Sequence, residues 1–204
     1  MATSSSKMIY PNTLRALVIG MAIFAVNAIA SDIVAPPEVS SAAPAGTHLA
    51  FYKASAVDAV AVYETASDAS GSRKRDFIVF RKQDGVFQPV VRNGKIIACS
   101  TCTPERDDPF LGGRHIDVSP GHIHVEQIYG DAHPSSATYD FTYDTASGQW
   151  KVNSASRTDG TAAGKGATKK LPLPASGLLK DFDGRWSTTS YWNALVVNDT
   201  KHSF

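Results

Sequence analysis

Three residues of the segment 122–126 have the types and the spacing that metal chemistry needs. His122, His124 and Glu126 alternate with Ile123 and Val125, and in a β-strand the side chains at i, i+2 and i+4 project from one face. Two imidazoles and a carboxylate are ligands that zinc accepts. The segment therefore predicts either a zinc site or a polar strand face above a core that contains Ile123 and Val125. We favour the polar face.

Cys99 and Cys102 are the only cysteines, in the order Cys-Ser-Thr-Cys. The N-terminus carries an export signal, described below, and this favours a structural disulfide between them because exported thiols are usually oxidised. Reduced thiols would instead be ligands in the zinc alternative, to which His115 or His133 could add. A redox role is not expected, since redox CxxC pairs begin a helix whereas Pro104 closely follows this pair.

Asp107 and Asp108 follow Arg106 and precede Pro109, a setting that favours a solvated turn over an acid–base pair, because adjacent side chains point apart. After the first 30 residues, the sequence contains no GxSxG, HExxH, SxxK or P-loop motif. We therefore predict no catalytic residues and a protein that is not an enzyme. Zinc is a cofactor only in the alternative of the histidine strand.

The C-terminal region gathers aromatic, acidic and arginine side chains, and aromatic residues and arginine are enriched at the energetic centres of protein interfaces. The candidate residues for binding a partner are Asp181, Asp183, Arg185, Trp186, Tyr191 and Trp192. The alternative is that the aromatic members close one end of the core. The strand face around His122, His124 and Glu126 is the second candidate binding surface.

Residues 1–30 have the organisation of a signal peptide. Lys7 and Arg15 precede an uncharged apolar run over 16–26, and Ala28 and Ala30 form a small-residue cleavage site. The run is shorter than the roughly 20 residues that span a bilayer, so we predict cleavage near Ala30 rather than a retained anchor. The mature protein is then expected in the bacterial periplasm or the medium, without stable membrane insertion.

The composition is that of an ordinary globular protein, with 204 residues of which 43% are hydrophobic and 19% are charged. The formal net charge is +1 at pH 7 and no long basic run occurs, so the positive footprint of nucleic-acid binding proteins is missing. We therefore predict a single β-rich domain over 48–204 and no nucleic-acid partner.

Alternating apolar and polar residues predict a mainly β protein, an antiparallel β-meander with tight turns. The strand-forming runs are VDAVAVYE, DFIVFRK, VFQPVVR, KIIA, HIDVS, HIHVEQIY, ATYDFTYD and QWKVN. The predicted turns between them are Asp84-Gly85, Asn93-Gly94, Pro120-Gly121 and Ser147-Gly148. Residues 31–47 are predicted to be a flexible lead-in and residues 153–170 a mobile loop, and the C-terminal arm is expected to hold one short helix.

The run over 57–153 resembles a family of small, secreted, uncharacterised bacterial proteins whose β-meander is similar to an integrin-type FG-GAP repeat. The matching segments are VDAVAVYE, RDFIVFRKQDGVFQPVVRNGKIIACSTC, DDPF and YDFTYDTASGQWKV, which with the residues between them cover about half of the chain. The resemblance implies the β-meander fold. Members of the family often carry an Asp-rich calcium loop before the first strand, but residues 53–58 supply a single carboxylate where calcium needs several oxygen ligands.

These observations favour an exported, non-enzymatic protein-binding domain. Its most concrete form is an immunity protein, an inhibitor in the cell envelope that neutralises a toxin or an envelope enzyme, and this form rests on analogy at the level of protein class. Two alternatives stay open. One is a zinc-binding protein or metal-dependent enzyme that uses His122, His124 and Glu126, and the other is a structural component of the envelope.

Overall fold

The computed structural model describes residues 33–101, 108–110, 115–129, 135–161 and 164–184. Within these residues the predicted mainly β, antiparallel fold is confirmed, and helix is confined to two short segments. The elements are α1 Pro37–Ser41, β1 Thr47–Ala54, β2 Asp58–Thr65, β3 Arg75–Gln83, β4 Val86–Asn93, β5 Ile116–Ser119, β6 His122–Tyr129, β7 Ser135–Asp144, β8 Gln149–Thr161, β9 Gly164–Lys170 and a 3-10 turn Leu179–Asp181.

The strands form two sheets rather than one continuous sheet. Sheet A has the order β1-β2-β3-β4 and sheet B the order β5-β6-β7-β8-β9. Within each sheet, every strand pairs antiparallel with the next strand of that sheet in the chain. Each sheet is therefore a meander, as the sequence predicts.

The predicted turn at Asp84-Gly85 joins β3 and β4. Its residues have φ of 51° and 86°, in the left-handed region that Asp tolerates and Gly adopts without steric cost. The turns predicted at Pro120-Gly121 and Ser147-Gly148 are also present, before β6 and before β8.

The chain departs from the prediction after Asn93. The pair Asn93-Gly94 does not join two strands, and residues 95–98, predicted as the strand KIIA, are irregular. The Gln127 side chain replaces a strand partner, because its Nε2 donates to the Ile96 carbonyl at 2.9 Å and its Oε1 accepts from the Ala98 N–H at 2.8 Å. Two backbone groups of this segment are therefore hydrogen-bonded inside the core without a strand partner.

The inward faces of the two sheets pack against each other and form the main hydrophobic core. Strand β7 follows the predicted alternation, since Tyr139 and Phe141 are fully buried while Thr138 and Thr142 are partly exposed. The Phe182 ring meets the Tyr139 and Phe141 rings edge-on, at centroid distances of 5.1 and 5.9 Å. The C-terminal segment thus closes this core.

Sheet A is also buried on its second face, beneath α1. The cluster there comprises Val39, Ala59, Ala61, Tyr63, Ile78, Phe80 and Phe87. The Tyr63 hydroxyl donates to the Val39 carbonyl, and burial raises the pKa of Tyr63 to about 12. The prediction of a flexible lead-in over 31–47 is therefore wrong for 37–41, where Pro37 suits the first turn of a helix and the Val39 side chain is buried.

The mobile loop predicted over 153–170 is also wrong for the described residues. Strand β8 continues to Thr161 and pairs with β9, where the Thr158 and Thr168 hydroxyls are 2.7 Å apart. The Ser, Thr and Lys residues of this segment show no apolar period because β9 is an edge strand, and lysines on an edge strand oppose pairing with other chains.

Asn93 holds the C-terminal segment against sheet A. Its Nδ2 donates to the carbonyls of Leu179 and Phe182 at 2.8 Å each, and its Oδ1 accepts from the Lys95 N–H at 2.8 Å. The short helix predicted for the C-terminal arm is, within residues 171–184, a single 3-10 turn at Leu179–Asp181.

Asp58 ties the two sheets together at one end of the core. It is completely buried, and its carboxylate accepts from the Arg81 guanidinium in sheet A and from the Gly121 N–H of sheet B, at 2.7 Å each. The Arg81 guanidinium also lies 3.7 Å from the centroid of the Tyr143 ring of β7. A buried carboxylate is costly without partners, so this position requires both sheets.

We expect Asn93→Ala to lower the free energy of unfolding by about 2–4 kcal/mol, because it leaves three backbone groups without their partner inside the protein. Chemical denaturation of the full chain measures the loss. The matched control is Asn153→Ala, at an exposed position of β8, which should change stability by less than about 0.5 kcal/mol. A loss below about 1 kcal/mol for Asn93→Ala would contradict the role assigned to this amide.

Candidate functional site

Strand β6 presents its histidines on the outer surface of sheet B. Ile123 and Val125 are fully buried, while the side chains of His122, His124 and Glu126 are 43%, 34% and 37% exposed. The predicted polar strand face is therefore present. We call the outward-facing side chains of this sheet the polar face, which comprises His115, Asp117, His122, His124, Glu126, Thr138, Asp140, Thr142 and Ser154.

Four residues of the polar face lie in register across four neighbouring strands. Asp117 of β5 pairs with His124 of β6, His124 with Asp140 of β7, and Asp140 with Ser154 of β8. Directly opposite side chains on neighbouring strands are close enough to interact. The register thus builds a row in which an imidazole lies between two carboxylates.

Asp140 is the centre of this arrangement. One carboxylate oxygen, Oδ1, lies 2.8 Å from His124 Nδ1 and 3.6 Å from His122 Nε2. The other oxygen accepts a hydrogen bond from the Ser154 hydroxyl at 2.7 Å. A single carboxylate therefore lies beside both histidines that the sequence singled out and is hydrogen-bonded to His124.

The pKa of the Asp140 carboxyl is lowered. Partial burial raises this pKa, but the hydrogen bonds from His124 and Ser154, with the charges of His124 and His122 when protonated, outweigh it. Asp140 is accordingly ionised at neutral pH and accepts, rather than donates, in both hydrogen bonds.

Asp117 lies at the other side of His124. The Lys53 ammonium of β1 is 2.5 Å from its carboxylate, and this hydrogen bond and charge lower the pKa of Asp117. The pair is exposed, since 75% of the Asp117 side chain is accessible. The pair adds no net charge to the polar face and contributes little to stability.

Glu126 does not join the two histidines. Its carboxylate faces His115 Nδ1 at 3.9 Å, whereas His122 and His124 face Asp140. The predicted set of His122, His124 and Glu126 therefore shares one face without converging on one point. In the part of the chain that the structure describes, no three His, Cys, Asp or Glu side chains are already arranged around a metal position.

A second group of charges, beside sheet A, has a structural role. Arg75, whose side chain is 1% exposed, donates to Glu64 Oε1 and Asp108 Oδ2 at 2.6 Å each and to the Ala98 carbonyl at 2.8 Å. Its guanidinium carbon also lies 5.2 Å from the centroid of the Phe110 ring. These contacts fasten the described residues 108–110 to the sheet.

The expectation of a solvated turn is therefore wrong for Asp108, whose side chain is 22% exposed. Burial raises the pKa of Asp108, but the hydrogen bond from Arg75, that from the Phe110 N–H, and the charges of Arg75 and Arg73 outweigh it, so the pKa is lowered. Asp107 and Arg106 lie outside the described residues.

The C-terminal binding candidates are only partly described. Asp181 is exposed and accepts from the Ser176 hydroxyl at 2.7 Å, and Asp183 lies 3.8 Å from the Lys95 ammonium. Between them, Phe182 is buried in the core. The remaining candidates, Arg185, Trp186, Tyr191 and Trp192, lie outside the described residues, so this surface stays a prediction.

The predicted Cys99–Cys102 disulfide is also only partly covered by the described residues. Cys99 Sγ lies 3.2 Å from the Ser72 hydroxyl, which donates to it, and the neighbouring Ser100 exchanges two hydrogen bonds with Arg73. Cys102 and His133 lie outside the described residues. The disulfide therefore stays a prediction, on a segment that is fixed to the start of β3 at one end.

Asp117, Asp140 and Ser154 were not singled out from the sequence. Each occupies an outward position of an alternating strand, which is the one signal that marks them as surface residues. Their proximity to His124 depends on the register between strands, and for β6 and β7 that register is not set by a two-residue turn.

No protein-family model matches the chain, and neither a curated protein nor a solved structure is significantly similar to it. The resemblance to FG-GAP-like proteins therefore stays a prediction. Among the described residues, the helices are too short to cross a membrane.

We expect Asp140→Asn to lower the free energy of unfolding at pH 7 by about 1 kcal/mol, because the uncharged amide is a weaker acceptor for His124 and Ser154. The pKa of Asp140 is lower in the folded chain than the ordinary 3.8. The stabilisation is thus complete above about pH 5 and is lost as the pH falls through the folded pKa. Urea denaturation from pH 5 to pH 2.5 should show the difference from the natural chain shrinking with acid.

The control for this prediction is Thr138→Ser, an uncharged position on the same face. Thr138→Ser should change the free energy of unfolding by the same small amount at all pH values. A constant difference for Asp140→Asn across the same range would show that the charge of this carboxylate does not stabilise the fold.

Proposed function

We propose that this protein is an exported, non-enzymatic binding domain that recognises another protein through the polar face of sheet B. The observation that carries the proposal is the row Asp117, His124, Asp140 and Ser154, in which polar side chains are held in one arrangement while remaining accessible. A surface whose side chains are ordered before binding loses little conformational entropy on association.

The support for a binding surface is the rigidity beneath it. Strands β6 and β7 bury Ile123, Val125, Tyr139 and Phe141 completely, so the backbone that carries the polar face is fixed by the core. Charged and polar groups on such a face give specificity and steer association. The expected partner has a cationic or hydrogen-bond-donating surface, because Asp117, Glu126 and Asp140 place three carboxylates on the face while Lys53 supplies one ammonium.

The most concrete form of the proposal is an immunity or inhibitor protein of the cell envelope, one that neutralises a toxin or an envelope enzyme. An inhibitor needs a complementary surface and no chemistry of its own. The second form of the proposal is a structural component of the envelope that uses the same surface. The test below separates this role from the inhibitor role.

We expect the tagged full chain, isolated from the cells that produce it, to retain one protein partner at a one-to-one ratio. The double variant Asp117→Ala/His124→Ala should retain at least tenfold less, equal to about 1.4 kcal/mol of binding free energy. The matched control is Asp76→Ala/Arg92→Ala, which removes an exposed ion pair of sheet A and should retain the partner fully. Quantitative mass spectrometry measures the ratio.

An immunity or inhibitor role adds that the captured enzyme loses its activity at one equivalent. If no stoichiometric partner is retained, or if both double variants lose it equally, the polar face is not the binding surface. Co-fractionation of the chain with cell wall or outer membrane, without a one-to-one partner, would identify the structural role instead.

Export and the disulfide belong to the same proposal and are tested by one intact mass. We expect the secreted or periplasmic protein to have the mass of the chain that begins at Ser31, less two hydrogen atoms for a Cys99–Cys102 bond. Retention of residues 1–30 would contradict cleavage near Ala30. Two reactive thiols in the unreduced protein would contradict the disulfide.

A further inference from the structure

We propose that His122, His124 and Asp140 form a surface site for a divalent transition-metal ion of the zinc class. The ligand set differs from the one that the sequence suggested, since Asp140 of the neighbouring strand takes the place of Glu126. The proposal does not rest on the protein-binding function, because the ion would bind to the isolated chain.

The distances around Asp140 are close to those of a coordination shell. Asp140 Oδ1 lies 2.8 Å from His124 Nδ1 and 3.6 Å from His122 Nε2. Around a tetrahedral zinc ion, with bonds of about 2.0–2.1 Å, neighbouring ligand atoms are about 3.3–3.4 Å apart. The 3.6 Å separation is slightly longer than this spacing, and the 2.8 Å separation is about 0.5 Å shorter. The shorter value is expected without the ion, because a hydrogen bond holds two atoms closer together than a metal ion that both of them coordinate.

The chemistry of the three groups fits the same class of ion. Two imidazoles with one carboxylate suit zinc and the other divalent transition metals, whereas calcium and magnesium prefer oxygen alone. The second oxygen of Asp140 is held by the Ser154 hydroxyl at 2.7 Å, an outer contact of the kind that orients a ligating carboxylate.

The strands limit how far the ligands must move. His122 and His124 project from the same side of β6, and Asp140 is the register partner of His124 on β7, so the backbone already brings the three side chains to one place. Their side chains are 26–43% exposed. We infer that rotation of these exposed side chains brings them around the ion, whose remaining positions are open to water or to a fourth ligand.

Two lysines beside this place are each paired with a carboxylate other than Asp140. Asp117, the register partner of His124 on β5, adds a carboxylate beside the site. That carboxylate is paired with the Lys53 ammonium at 2.5 Å, so the pair adds no net charge. On β7, Asp144 is held by Lys151, so neither lysine is directed at Asp140.

Isothermal titration of the full chain with zinc ions at pH 7.5, with a purification tag free of histidine, tests the proposal. We expect one equivalent to bind. Asp140→Asn, His122→Ala and His124→Ala should each weaken the affinity for zinc at least tenfold. Loss of an outer contact already weakens metal binding 10–100-fold, and loss of a ligand must weaken it more. At pH 5.5 the affinity should fall, because protonated imidazoles do not coordinate.

Two matched controls define the ligand set. Glu126→Gln tests the set taken from the sequence, and His48→Ala removes an exposed histidine that also faces a carboxylate, Glu64 at 3.8 Å. Both should bind zinc within threefold of the natural chain. Cys99→Ser/Cys102→Ser should do the same.

A readout that does not depend on variants is the nitrogen chemical shift of each imidazole during the titration. Zinc should move the resonances of His122 and His124 and leave that of His48 in place. The proposal is overturned if zinc does not saturate, if Glu126→Gln weakens binding as much as Asp140→Asn, if the cysteine variant abolishes binding, or if the shifts of the two histidines stay constant. None of these results bears on capture of a protein partner.

Discussion

Backbone groups that enter a core without a strand partner must be hydrogen-bonded there, and two buried amides meet this requirement. Gln127 bonds the irregular segment at Ile96 and Ala98, and Asn93 bonds the C-terminal segment at Leu179 and Phe182. Both segments lie against the core that the sheets share. Because Gln127 belongs to β6, the hydrogen bonds that close the core also fix the strand that carries His122 and His124.

The two sheets use their faces differently, and this difference decides where function can lie. Sheet A is covered on one side by sheet B and on the other by α1, so β2 is buried along almost its whole length. Sheet B has one buried face, and the polar face has no helix or strand of the described residues packed on it. Side chains that could meet a partner or an ion are therefore concentrated on sheet B.

Local patterns in the sequence predict most of the strands and three of the turns. The alternation around Tyr139 and Phe141 predicts which side of β7 is buried, and Asp84-Gly85 predicts a hairpin, because both depend on neighbouring residues alone. The failures come from interactions between distant residues. Residues 95–98 have the composition of a strand, yet their hydrogen-bond partner is Gln127, which no local pattern relates to them.

The same distinction explains how much of the candidate site could be predicted. The alternation in 122–126 places His122, His124 and Glu126 on one face, and that prediction is correct. It cannot choose between Glu126 and Asp140 as the carboxylate beside the imidazoles, because the choice depends on the register of β7 against β6. A polar residue such as Gln127, at a position where an apolar residue would be expected, indicates a buried hydrogen bond. The sequence pattern does not identify the partner in that bond.

The proposed protein partner and the proposed metal ion would act on the same groups, and their binding is therefore coupled. A divalent ion beside Asp140 adds two positive charges to a face on which Asp117, Glu126 and Asp140 supply three negative charges and Lys53 supplies one positive charge. A cationic partner would bind that neutralised face less tightly, and a partner that donates a fourth ligand would bind it more tightly. Thermodynamic linkage then makes the partner change the affinity for the ion by the same factor, so the polar face would behave as one site with two ligands rather than as two sites.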